Sequence, residues 1–317
     1  MVKKIGFGVI GIGFWGKNHT RILSEIENAK LVAVCDIDST RAESIGKKHG
    51  VDWYSRDEDL LKRNDIEAVC ICTPTITHAE IALKAINYGK HLLIEKPMAN
   101  TAAQSRCLLE EAEKHDVHLM TGFIERFNPG LQGIKNIIEN GELGEIVLAL
   151  SRRVGKWPER VGDIGVIKDS AIHDLDIMRF LFKEEPLTVY ARAGSLGHRF
   201  EDYAQIVLSF SGIRTAFVEA NWLTPHKVRM LTVTGSEAIA SVDYVSQEIV
   251  IEDVEKVVKR KHEWAEPLKR ELEHFANCII NDEEPCVTGL DGLRALQVAE
   301  AALNSAHTSE VVKLTFD

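Results

Sequence analysis

Short apolar runs recur along the first third of the chain: KIGFGVIG, LVAVCD, AVCICT, HLLIEK and VHLMTGF. They are rich in valine, isoleucine and leucine and lack the apolar–polar alternation of a half-exposed strand, so they predict parallel strands buried on both faces. Helical patterns lie between them. Over residues 76–88, Ile76, Ala79, Leu83 and Ile86 fall at helical spacing, and Gly89 stands where a C-terminal cap belongs. Alternating strands and helices of this kind predict an α/β doubly wound parallel sheet.

The texture changes after Phe123. Asn128 and Pro129 offer an N-cap and a first-turn proline for a helix over 129–139. Long strand patterns follow: EIVLALSRR, LTVYARAG, YAQIVLSF, RTAFVEANW, VRMLTVTG and EIVIED, with short turns at Ser211-Gly212 and Gly235-Ser236. They predict a large, open, mostly antiparallel sheet. Helices are expected near 170–182, 267–281 and 289–306, with VVKLTF as an edge strand. The expected organisation is an α/β domain over 1–123 and an α+β domain over 124–317. Strands such as YAQIVLSF and RTAFVEANW carry apolar residues on both alternating sets. A second copy covering the outer sheet face, and hence a homo-oligomer, is therefore expected.

Composition narrows the classes. With 45% apolar and 27% charged residues in 317, the chain is neither disordered nor collagenous, and no apolar run is long enough to cross a bilayer. The basic, then apolar start MVKKIGFGVIGIG runs straight into glycines and reads as a strand, not a signal peptide. A net charge of −10 argues against general nucleic-acid binding. The six cysteines, Cys35, Cys70, Cys72, Cys107, Cys278 and Cys286, form no CxxC. They suggest packing roles in a reduced, cytoplasmic protein, with neither a metal site nor a disulfide framework.

The sharpest motif is Gly11-Ile12-Gly13-Phe14-Trp15-Gly16, which closes the first strand and opens a helix. In a Rossmann domain these glycines make a tight turn, let backbone approach a pyrophosphate and let helix pack on strand, while the helix N-terminus faces the phosphates. The next strand ends at Asp36, 36 − 16 = 20 residues past the last glycine. A carboxylate there suits the adenosine ribose hydroxyls. It repels a 2′-phosphate, and Asp38 adds to the repulsion, so NAD is expected over NADP. Arg41 is nearby and reads as solvated. Trp15 is open between covering the pyrophosphate and packing in the core. His78 is open between NAD contact and a plain helix-start residue.

Three further segments carry a resemblance: Thr73-Pro74-Thr75-Ile76-Thr77-His78, Glu95-Lys96-Pro97 and Asp169-Ser170-Ala171-Ile172-His173-Asp174. With them the chain resembles the glucose–fructose oxidoreductase / inositol dehydrogenase / rhizopine-catabolism (Gfo/Idh/MocA) family over essentially its whole length. The resemblance implies a Rossmann domain followed by an open-sheet domain, hydride exchange with NAD on sugars or cyclitols, and homodimers or homotetramers. It places catalytic groups at Lys96, Asp169 and His173. It places cofactor contacts at Gly11, Gly13, Phe14, Trp15, Gly16, Asp36, Thr73, Pro74, His78, Glu95 and Lys96. The chemistry agrees: an ammonium at a strand's carboxyl end can stabilise a developing alkoxide, and an imidazole can take the hydroxyl proton. Asp169 and Asp176 both lie about one turn from His173, and either could orient it. His19, His115 and His118 show no convincing partner.

Residues 152–167 bear on the substrate. Arg152, Arg153, Lys156 and Arg160 make a local basic excess suited to an anion. The pattern Arg-Val-Gly…Pro-x-Arg…Asp-x-Gly-Val-Ile looks like members that oxidise the 3-hydroxyl of UDP-N-acetylglucosamine. That likeness implies a UDP-sugar held by Lys96, Arg153, Arg160, Asp169 and His173, with Arg160 the first choice for the diphosphate. The alternatives are an inositol or free-sugar dehydrogenase and a non-catalytic NAD-binding regulator. The presence of Lys96, Asp169 and His173 together favours an enzyme.

Overall fold

The computed structural model describes residues 3–158, 162–260 and 263–316. Two compact units emerge, each with its own sheet.

The first unit runs through β1 (Ile5–Ile10), α1 (Phe14–Glu25), β2 (Ala29–Cys35), α2 (Ser39–His49), β3 (Asp52–Tyr54), α3 (Asp57–Leu61), β4 (Ala68–Ile71), α4 (Thr75–Asn87), β5 (His91–Glu95), α5 (Ala102–Lys114) and β6 (Leu119–Gly122). All six strands are parallel, in the order β3-β2-β1-β4-β5-β6. Every residue of β1 and β4 is buried, as expected of interior strands with helices on both faces. The chain order reverses at β1, which makes the carboxyl edge between β1 and β4 the ligand-binding edge of such a sheet.

The second unit contains α6 (Pro129–Glu139), β7 (Ile146–Lys156), α7 (Ile172–Phe182), β8 (Thr188–Gly194), β9 (Tyr203–Ser209), β10 (Thr215–Asn221), β11 (Leu223–Gly235), β12 (Ile239–Asp243), β13 (Ile249–Glu252) and β14 (Val257–Arg260). The chain continues through α8 (Pro267–Asn281), α9 (Gly289–Thr308) and β15 (Val312–Lys313). The nine-stranded sheet is antiparallel except where β10 lies parallel to β7. Alternation decides its faces. Ala204, Ile206 and Leu208 of β9 and Ala216, Val218 and Ala220 of β10 point into a core shared with Ile134, Leu175, Met178 and Ala302. On the other face Leu148, Leu150, Tyr203 and Ile239 stand exposed. Asn128 caps α6 as expected, its side chain accepting from Gly130 N, with proline in the first turn.

One boundary differs from the sequence reading. Residues Leu268–Leu293, assigned above to the second domain of 124–317, belong to the first unit. The reason is apolar: Phe275 is fully buried and meets Phe7 of β1 edge to face, ring centroids 6.1 Å apart. β3, α3, β12 and β14 are present beyond the expected elements. β3 has three residues, and all four residues of β14 are exposed, so neither leaves an apolar period to detect.

Candidate active site

In the first unit the glycine loop is built as its motif requires. A Cβ on Gly16 would come within 1.9 Å of the Gly11 carbonyl oxygen, so this glycine lets α1 close onto the loop. A Cβ on Gly13 would meet nothing within 4 Å, which leaves open space beside the backbone. Gly13 is the N-cap of α1, without a side-chain cap and without an acid in the first turn. The N-terminal N–H groups thus face an anion's position with no carboxylate competing for them. Asp36, buried at the end of β2, accepts from Ile12 N at 2.7 Å and from Asp38 N at 2.9 Å. Arg41 is exposed, as expected, and ion-paired as well, with Nη1 3.2 Å from Asp36 Oδ2 and Nη2 3.3 Å from Asp38 Oδ2. Phe14 is exposed beside the loop and Trp15 is half-buried against it, rings 5.5 Å apart. These features fit a dinucleotide.

Thr73 and Pro74 follow β4 at the carboxyl edge, half-buried and exposed respectively. His78 does not share that exposure. It is buried, and both ring nitrogens meet protein carbonyls, Pro97 O at 2.9 Å and Thr73 O at 2.8 Å. It ties two edge loops together, so its expected place among the cofactor contacts becomes that of a support for Thr73.

Lys96 follows β5 at the same edge, buried, with its backbone N–H 3.3 Å from Glu95 Oε2. The other oxygen of Glu95 meets His19 Nε2 at 3.0 Å. His19, judged above to lack a partner, thus joins the glycine-loop helix to the residue preceding Lys96. His118 likewise lies 3.3 Å from Asp282 and His115 Nδ1 2.9 Å from Glu111 O. Glu271 of α8 is fully buried, with neither carboxylate oxygen hydrogen-bonded. Burial, and then the charge of Glu95, push its carboxyl well above the usual range. A raised folded-state value gives stability that is complete below the unfolded value, about 4.3, and is lost as pH rises toward the folded one. Glu271→Gln should therefore gain thermal midpoint on the wild type as pH is raised from about 4 to about 8. A difference that stays constant across that window would mean Glu271 is not held as the neutral acid.

In the second unit a π-helical turn, Ile167–Ala171, leads directly into α7, a device frequent at functional sites. Glu201 holds its start, accepting from Ile167 N through Oε1 at 3.1 Å, and its carbonyl accepts from Val166 N at 2.9 Å. Asp169 and His173 are both nearly buried here. Trp222 Nε1 donates to Ser170 Oγ at 3.2 Å, and Ser170 Oγ lies 3.3 Å from Asp169 Oδ2, so the indole steadies the aspartate through the serine.

The neighbouring acids are committed elsewhere. Arg126 grips Asp176 through Nε at 2.7 Å and Nη2 at 2.5 Å, with Arg179 at 3.3 Å. Arg153 holds Asp174 at 2.5 Å, both buried, and the half-buried Glu125 at 2.9 Å. Arg153 was expected to meet substrate; its charge is instead taken by two carboxylates. Arg152 faces the other side of the sheet and pairs with Glu219 at 3.1 Å. Arg160, the first choice for the diphosphate, lies outside the described residues.

Among the described residues no group of three or more histidine, cysteine, aspartate or glutamate side chains could hold a metal ion, and no helix is long and apolar enough to cross a membrane. All six cysteines are free thiols.

Residues 5–123 match the GFO_IDH_MocA family, "Oxidoreductase family, NAD-binding Rossmann fold", and residues 131–241 match the GFO/IDH/MocA C-terminal domain. The chain is 32% identical to the uncharacterized oxidoreductase YrbE of Bacillus subtilis, covering 96% of this chain and 95% of that protein. It is 31% identical to an inositol 2-dehydrogenase of Rhizobium meliloti, covering 95% and 96%. The UDP-N-acetylglucosamine 3-dehydrogenase of Acidithiobacillus ferrooxidans superposes with a TM-score of 0.89 at 26% identity, over 97% of this chain and 99% of that one. Beside the glycine loop, Asp36, edge lysine and π-initiated helix stands a likeness that runs end to end: the chain belongs to the Gfo/Idh/MocA family, as an NAD-binding oxidoreductase.

Proposed function

We propose that the protein oxidises a secondary hydroxyl of a nucleotide sugar, the 3-hydroxyl of UDP-N-acetylglucosamine, to the ketone. The observation that carries this reading is the segment between β7 and the π-helical turn. Lys156, the last residue of β7, and Trp157, which opens the segment, are exposed, and its Pro-x-Arg…Asp-x-Gly-Val-Ile sequence carries the resemblance described above to members with that activity. The likeness to the Acidithiobacillus enzyme supports it. NAD, when bound, supplies the hydride acceptor. Lys96 hydrogen-bonds the reacting oxygen and stabilises negative charge as it develops. His173 takes the hydroxyl proton. With Asp174 and Asp176 committed to arginines, Asp169 orients the imidazole.

A second reading, oxidation of inositol or another polyol, is favoured by the identity to inositol 2-dehydrogenases. Initial rates of NAD reduction with UDP-N-acetylglucosamine, myo-inositol and glucose separate the two. A kcat/KM highest for inositol overturns the nucleotide-sugar reading. NAD binding without turnover of any sugar points to a regulator. The free thiols suit a reducing compartment, the cytoplasm.

Asp36 chelates the adenosine ribose in this reading, so NAD should bind far more tightly than NADP, and Asp36→Ser should narrow the gap chiefly by weakening NAD. Fluorescence titration with both cofactors checks this; equal wild-type affinities would remove Asp36 from the role. The sheet face that exposes Leu148, Leu150, Tyr203 and Ile239 is the surface we assign to homo-oligomer formation. Light scattering should give a dimer or tetramer at micromolar concentration, and a stable monomer rejects the assignment.

A further inference from the structure

Two cations on β11 have no role in anything described so far. Lys227 and Arg229 are two residues apart and so share one face of the strand. The register sets Arg229 directly opposite Arg153 of β7, which puts both on the inward face. Like charges so placed repel. Arg153 is neutralised by Asp174 and Glu125, but neither Lys227 nor Arg229 forms an ion pair among the described residues. Arg229 gives Nη1 to the carbonyls of Val154, at 2.7 Å, and Val228, at 2.9 Å, which fixes the guanidinium without cancelling its charge.

The next inward position of β7 is Gly155. A Cβ there would meet only Lys227, its Cα at 3.6 Å and its Cβ at 3.9 Å. At Gly155 the inward face of β7 therefore carries no side chain, and Lys227 of the neighbouring strand lines that position. Burial, and then the charge of Arg153, bring Arg229 down to about 10, while Asp174, Glu125 and, last, Asp169 act on it in the opposite direction. Burial also lowers Lys227. Arg229 is thus partly desolvated, Lys227 keeps an exposed side chain, and Arg229 lies within electrostatic reach of Asp174, Glu125 and Asp169. In a chain of net charge −10, such a pair is what draws an anion to one place.

We propose that Lys227, which lines the position of Gly155, and Arg229, two residues further along the same face of β11, form a seat for the phosphoryl oxygens of the substrate, an inference that rests on the nucleotide-sugar reading. Arg229 presents its remaining N–H groups as a fork to the oxygens, and Lys227 adds a point charge.

The test uses the full chain loaded with NAD. UDP and inorganic pyrophosphate are titrated calorimetrically into wild type, Lys227→Gln, Arg229→Gln and Arg229→Lys, and KM for UDP-N-acetylglucosamine is measured in each. The glutamine variants should weaken UDP and pyrophosphate and raise KM by about 10- to 100-fold. Arg229→Lys should lose less, kcat should change little, and the effect should shrink with added salt. Wild-type affinity for both probes in both glutamine variants overturns the seat, even if UDP-N-acetylglucosamine is turned over well. So does a wild type that binds neither probe. If the wild type does not oxidise UDP-N-acetylglucosamine yet binds pyrophosphate through these residues, the seat stands and the nucleotide-sugar reading falls in favour of another phosphorylated substrate. Should Arg229→Gln fail to fold, the exposed Lys227→Gln decides.

Discussion

His173→Ala is expected to lower kcat by about 10²- to 10⁴-fold, the range for loss of a general base, with NAD affinity close to wild type. An imidazole accepts a proton only when neutral, so the wild-type oxidation rate should climb as pH is raised from acid to neutral. His173→Ala should lose that climb. Lys96→Ala should show a comparable fall in kcat while keeping the pH dependence, because the ammonium stabilises charge rather than taking the proton. Asp169→Asn should retain more activity than His173→Ala, since it disturbs the imidazole without removing it. The measurement is kcat against pH for each variant. Near wild-type turnover in His173→Ala, or a wild-type rate that is flat from acid to neutral pH, would exclude the imidazole base.

Arg153→Ala should act on folding. Removing one partner of a buried pair leaves uncompensated charge and costs about 3–5 kcal/mol; here Asp174, fully buried, and Glu125 would both lose their cation. Arg153→Met with Asp174→Leu should recover part of the loss, because the fully buried Asp174 charge goes with its partner while only the half-buried Glu125 stays without its cation. Denaturant midpoints of the single and double variants check this. If Arg153→Ala kept its stability and only raised KM for a UDP-sugar, the substrate contact expected from the sequence would be restored and the structural role rejected.

That contrast shows what local pattern can reveal. The interior strands of the first unit were legible because burial on both faces leaves unbroken apolar runs, and α6 because Asn128-Pro129 is a local start signal. The glycine loop and Asp36 were legible because strand, turn and helix fix their spacing. Arg152 and Arg153 are neighbours on β7 and so fall on opposite faces, one exposed and one buried, but alternation is silent about what waits there. The carboxylate that claims Arg153 is 21 residues away, the arginine that claims Asp176 is 50 away, and Glu95 is 76 from His19. Ion pairs across such separations are products of the fold, not of any window of sequence. One signal was available and passed over. The inward set of β11 reads Lys227, Arg229, Leu231, Val233, two cations at the head of an apolar row.

The return of residues 268–293 to the first unit bears on modularity. The peptide backbone leaves that unit after Phe123, re-enters at Leu268 and departs again after Leu293, so no single cut separates the nucleotide-binding portion from the rest. A fragment ending at Phe123 would lack Leu272, Phe275 and Ala276, all fully buried, and would leave Phe7 bare on the central strand. Recombination between relatives that trades one nucleotide-binding half for another meets the same constraint. The exchanged half must bring its own α8, or the recipient's α8 must already complement the incoming strand.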